Sequence, residues 1–165
     1  MATIYSFPGF MSLDAAPAGT VDETQIYKNG QLAFTADGNG YRYVEIDYSD
    51  LVDWAAGHPV GLKQDATNYV VTADQSDSLM PCGVALGTVD VSAYSASVWT
   101  WIQVSGIATC TAADANITGG QPLIWSADGA CDHFADGGEE LVFAHAITHT
   151  GTASANSTYI LLHTL

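Results

Sequence analysis

His145 and His149 stand four residues apart, the spacing at which two imidazoles on a helix can share a zinc ion. Their surroundings, "ELVFAHAITHT", alternate like a strand, and on a strand four residues span about 13 Å, too far for one ion to bridge. The pair is therefore read as polar side chains on a half-exposed face, with Ile147 between them. Glu139 and Glu140 are adjacent, so on a strand they point to opposite faces and cannot form the facing carboxylates that a glycosidase needs. "ADGNGYRYVE" is rich in oxygen ligands, but it lacks the alternating acids and the acid at position 12 of a calcium loop. It reads as a plain turn.

No GxSxG, P-loop, GxGxxG or Cys/His dyad spacing is present. Nothing in the chain has the form of an active site, and no cofactor or metal is expected. Cys82, Cys110 and Cys131 are odd in number and widely spaced, which suits small buried thiols in a reducing compartment. The sequons at Asn116 and Asn156 carry little weight, because the opening "MATIYSFPGF" has no basic region or long apolar region of a secretory signal.

The aromatic side chains carry more information. In "SVWTWIQVSG", Trp99 and Trp101 fall on one face of a strand, with Val98, Thr100 and Ile102 on the other. Two indoles side by side could form a sugar platform. They could equally fill a β core or a subunit interface, where aromatic rings bury large areas. Because the strand is apolar on both faces, burial is favoured. Trp125, in "PLIWSA", is assigned with them as a core or interface aromatic.

The formal charge of −15 arises mainly because the chain has only three basic residues, Lys28, Arg42 and Lys63. Phosphate backbones and anionic membranes require cationic surface, so neither nucleic acid nor a membrane is an expected partner. Charged residues make up only 13% of the chain, where about 25% is usual, so the surface is expected either to avoid self-association by net negative charge rather than by mixed ion pairs, or to be partly covered by other chains.

These residues must be positioned by strands. From residue 66 onward, apolar runs of four to eight residues alternate with Gly, Asp, Asn, Ser and Thr turns, which indicates an all-β sandwich or barrel. Ahead of this, Asn29-Gly30 and "DGNG" mark two hairpin turns in a three-strand meander. In its last strand, Tyr41, Tyr43, Glu45 and Asp47 share a face opposite Arg42, Val44, Ile46 and Tyr48, and one side faces the core. "SDLVDWAAGH" predicts one short helix near 49–57, capped by Ser49 or Asp50 and ended by Gly57 and Pro59. Residues 1–25 read as an extended arm, and residues 26–165 as a single β-rich body. The arm's Ile4, Tyr5, Phe7, Phe10 and Leu13 lie among prolines and glycines and need an outside surface to pack on.

The order "CGVALGTV", "SVWTWIQVSGIATC", "NITGGQPLIWSADG", "LVFAHAITHT", "STYILLHTL" resembles the small decoration, or cement, proteins of tailed-bacteriophage capsids. In that family an aromatic and branched strand ends in Gln-Val/Thr-x-Gly, matched by Trp99 to Gly106, and a "G-x-x-L" step follows, matched by Gly120 to Leu123. "VFAHAIT" departs from the pattern, since a glycine is usual there. The resemblance spans roughly residues 80–165. It implies a structural, non-enzymatic virion protein made in the host cytoplasm. Such a protein is often a homotrimer that sits on the capsid exterior and ties neighbouring major capsid subunits together. The alternative is a carbohydrate-binding module whose tryptophan platform is exposed.

Overall fold

The computed structural model describes residues 10–49, 52–66, 68–113, 117–127, 129–134, 141–147 and 157–163. Their alternating branched, aromatic and small residues form strands wherever a partner edge is within reach: β1 (Phe10–Leu13), β2 (Leu32–Thr35), β3 (Gly40–Ile46), β4 (Pro59–Lys63), β5 (Val70–Thr72), β6 (Ser78–Ala85), β7 (Val98–Thr111), β8 (Pro122–Ala127), β9 (Ala130–His133), β10 (Val142–Ala146) and β11 (Ser157–His163). Two single 3-10 turns, Gln75–Asp77 and Val91–Ala93, are the helical content of the described residues. The fold is all-β.

The pairing order β3-β5-β4-β6-β7 closes on itself through β3–β7, giving a five-stranded barrel with β1 and β2 added beside β3. Its interior holds Val44, Ile46, Trp54, Val60, Val71, Ile102 and Val104. Each such side chain contributes about 1.5–3 kcal/mol by leaving water. β7 then runs on into a second sheet, β7-β11-β10-β8-β9. That sheet curls until β9 meets the far end of β7 at the Ala112–Cys131 bridge, around Leu123, Trp125, Phe143, Ile160 and Leu162.

One strand thus serves two bodies. "SVWTWIQVSG" and "IATCTA", read as separate runs, form this single strand of 14 residues. Gly106 is the joint. Its φ of +88° is open to glycine at little cost, and a Cβ there would stand 2.1 Å from Asn39 Oδ1, which accepts the Ile107 N–H at 3.0 Å.

Three sequence expectations are corrected. No helix spans the described part of 49–57. Instead Trp54 exchanges backbone hydrogen bonds with Val89 (2.9 and 3.0 Å), and Asp53 caps the 3-10 turn by accepting from the Val91 N–H at 2.9 Å. A short helix has a costly nucleus, and burial of Trp54 against the barrel interior outweighs it. Pro59, expected to end that helix, opens β4. The meander has two strands in place of three. Asn29-Gly30 does form a turn, but the edge of β2 that Gln25–Lys28 would join is occupied by β1 in parallel register, Phe10 opposite Leu32 and Leu13 opposite Thr35. Finally, β3 is covered on both faces: Val44 and Ile46 point into the barrel, and Tyr41 and Tyr43 are buried on the outside.

Candidate functional site

The aromatic face of β7 was the leading candidate for a ligand platform. Pairing with β3 sets Trp101 opposite Tyr43 and Trp99 opposite Glu45, so both indoles point out of the barrel as their spacing predicts. Trp101 is buried and Trp99 only partly exposed. Ala33, Tyr41, Tyr43 and Trp101 form a third buried cluster, against which Met11, Leu13, Leu86 and Trp99 pack.

A strap formed by residues 19–27 crosses this face. Asp22 pairs with the Trp99 backbone at 2.7 and 3.0 Å, and the Thr100 hydroxyl donates to Thr20 O at 2.9 Å. The Tyr27 ring stands 5.2 Å from both Tyr43 and Trp101, edge-on to each. Beneath it the Tyr43 hydroxyl donates to Asp22 Oδ2 at 2.7 Å and accepts the Ile26 N–H at 3.3 Å. Burial, and then the hydrogen bond to the Asp22 carboxylate, push the Tyr43 phenol up to about 12. Trp101 is 7% exposed and Trp125 4%. Trp99 is partly buried, with its Nε1 enclosed and unpartnered among the described residues. Trp125 lies in the core of the second sheet, where Gln75 donates to its carbonyl.

Of the proposed arm anchors, Ile4, Tyr5 and Phe7 lie outside the described residues, and Phe10 and Leu13 lie in β1. Leu13 and Met11 pack on the outer aromatic cluster. β1 ends the strand order. No strand period is visible there because β2 supplies the hydrogen bonds, and a parallel partner 22 residues away leaves no local signal.

Several ionisable groups are engaged in structural contacts. Lys63 donates to Asp47 and to Ser49 Oγ at 3.1 Å and lies 3.5 Å from Asp77. Burial alone would raise the Asp47 carboxyl, but the hydrogen bonds from Lys63 and Ser49 outweigh it and hold the group below its ordinary value. The Arg42 guanidinium lies 4.3 Å from the centre of the Tyr69 ring. His145 is exposed, while His149, Glu139 and Glu140 lie outside the described residues. Among the described residues no three His, Cys, Asp or Glu side chains converge as a metal site. Cys110 and Cys131 are both buried at the closing seam of the second sheet. Burial, and then the neighbouring Cys131 thiol, hold the Cys110 thiol well above its ordinary value.

Sequence reasoning missed His58. Its backbone bonds to Ala55 and Ala85, its ring rests against Gly129 in the turn between β8 and β9, and Nδ1 has no partner among the described residues. Burial pulls it below the usual histidine range. A lone histidine next to a proline gives no hint of such a place.

No family model matches the chain, and no curated protein matches it in sequence. Among solved structures it is similar to the head fiber gp8.5 N base of bacteriophage phi29, with a TM-score of 0.49 and 14% identity over 74% of this chain and 94% of that one.

Proposed function

We propose that this chain is a structural protein of a tailed-phage particle that attaches, as a homotrimer, to the outside of the assembled capsid and ties neighbouring major capsid subunits together. The observation that carries the choice over a sugar-binding module is the covered aromatic face. Tyr27, Met11 and Leu13 pack over the cluster that contains Trp101, so the indoles are spent on rigidity and leave no flat platform for a pyranose ring. The reading also rests on the sequence resemblance, whose matched segments fall on β7 and on the turn into β8. A low density of charge suits a body that is partly covered by its neighbours.

Purified protein mixed with emptied, mature phage shells is expected to appear in electron micrographs as regular knobs at fixed lattice positions. Iodide is expected to quench Trp101 and Trp125 poorly, with no change on adding polysaccharide. Strong quenching relieved by a polysaccharide, together with bare shells, would establish the sugar-binding alternative.

A further inference from the structure

Where β6 leaves the barrel beside the second sheet there is a groove of about 280 Å³, lined by Leu79, Met80, Pro81, Trp125 and Leu141 together with Gln75 and Ser78. Leu79 is 63% exposed, Leu141 53% and Met80 43%. Among the described residues that line the groove none is charged, in a molecule of net charge −15. Large apolar side chains this exposed and this close together mark a contact surface. The volume is at the small end for a small-molecule site and suits one or two inserted side chains.

The same chain contains a segment of matching chemistry. "MATIYSFPGFMSL" holds no acidic or basic residue, so all 18 acids and all three cations lie beyond it. It offers Ile4, Tyr5 and Phe7 ahead of β1. An uncharged aromatic segment enters an uncharged groove with no ion to desolvate, whereas most other stretches of this chain would bring a carboxylate.

The strand register decides which copy's groove it can enter. Leu13 pairs at the level of Thr35, near the Gly40–Ser105 pair where β7 passes into the second sheet, while Phe10 pairs with Leu32, at the level of Arg42 and Ile102. Moving back along β1 thus leads away from the second sheet. The groove lies at the opposite end, because Ser78–Met80 precede the β6 residues that pair with Gln103 and Ile102. Nine residues span at most about 30 Å. Phe10, the end of β1 from which residues 1–9 depart, therefore lies farther from its own groove than Leu13 does.

We infer that residues 1–9 of one copy dock, through Tyr5 and Phe7, into the Leu79–Met80–Leu141 groove of the next copy. This head-to-tail contact, repeated three times, closes into a ring, the form the homotrimer proposed above would take. The inference rests on the homotrimer reading and names its interface.

Sedimentation equilibrium of the full chain is expected to show a trimer. Removing residues 1–9, or making Leu79→Glu, is expected to give monomers that keep the parent's circular dichroism and melt at a lower, concentration-independent temperature. Leu141→Glu, at another lining residue of the groove, repeats the test should Leu79→Glu misfold. Contact is read directly by mixing Phe7→Cys chains with Leu79→Cys chains, both in a Cys82→Ser background, and oxidising with glutathione disulfide: a covalent heterodimer is expected. A parent that sediments as a monomer overturns the inference, as does a trimer that survives both groove substitutions, or a doubly substituted chain that bridges only within itself. Shell occupancy is scored separately. A trimer held by the groove that leaves shells bare refutes the capsid role and keeps the docking, whereas decorated shells with a groove-independent trimer do the reverse.

Discussion

Tyr43 joins the strap to the barrel through one hydroxyl. Tyr43→Phe keeps the ring against Trp101 and Tyr27 but leaves Asp22 and the Ile26 N–H without that partner. The expected cost is about 1–2 kcal/mol in chemical denaturation. The sign of its pH dependence follows from a phenol held near 12 in the fold against 10.0 when free. Protonated Tyr43 stabilises the fold fully below pH 10, and that contribution is lost as the pH rises towards 12. Alkaline titration of the melting temperature is expected to fall steeply across this window in the parent and less steeply in Tyr43→Phe. The two tryptophans separate in a different way. Trp101→Ala empties a buried site and is expected to cost about 3–5 kcal/mol. Trp99→Phe removes an enclosed, unpartnered N–H from a partly buried ring and is expected to cost less than about 1 kcal/mol. Equal losses in the two variants would contradict this account of the aromatic face.

At the scale of elements, β7 is the part on which both bodies depend. Its first half closes the barrel against β3 and β6, and its second half carries β11. Gly106→Ala places a Cβ against Asn39 at a positive φ, so it is expected to cost about 2 kcal/mol or more. The two bodies are then expected to unfold in separate steps, seen as tryptophan fluorescence and circular dichroism transitions that no longer coincide. β1 sets the useful limit of truncation. Removing residues 1–9 leaves the β1–β2 ladder in place, whereas removing 1–13 also deletes Met11 and Leu13 from the outer cluster and is expected to lower the melting temperature further.

For the whole molecule, charge is the dominant long-range term. With 18 acids, three cations and Lys63 already neutralised by Asp47, the folded chain repels itself. Raising the salt concentration from about 10 mM to about 150 mM shortens the screening length from about 30 Å to about 8 Å and is expected to raise the melting temperature. A fall would mean that surface ion pairs contribute more than this repulsion costs.

What the sequence alone determined was whatever depends on neighbours in the chain. Apolar runs between turns from residue 66 onward located β5, the second half of β6, β7 in two pieces, β8, β10 and β11, "DGNG" located the β2–β3 turn, and the scarcity of lysine and arginine set the charge. Both tryptophans were placed on one face because the period of a strand is a local property. Tertiary structure decided everything that depends on which edge is free. A strand's hydrogen bonds go to residues far away in sequence, so nothing near Phe10 announces its pairing with Leu32, and nothing near Trp54 announces Val89. The same distance explains why "SVWTWIQVSG" and "IATCTA" merge through Gly106. It also explains why the face carrying Trp101 is closed: the strap that covers it begins some 80 residues earlier, and only the closed barrel brings the two together.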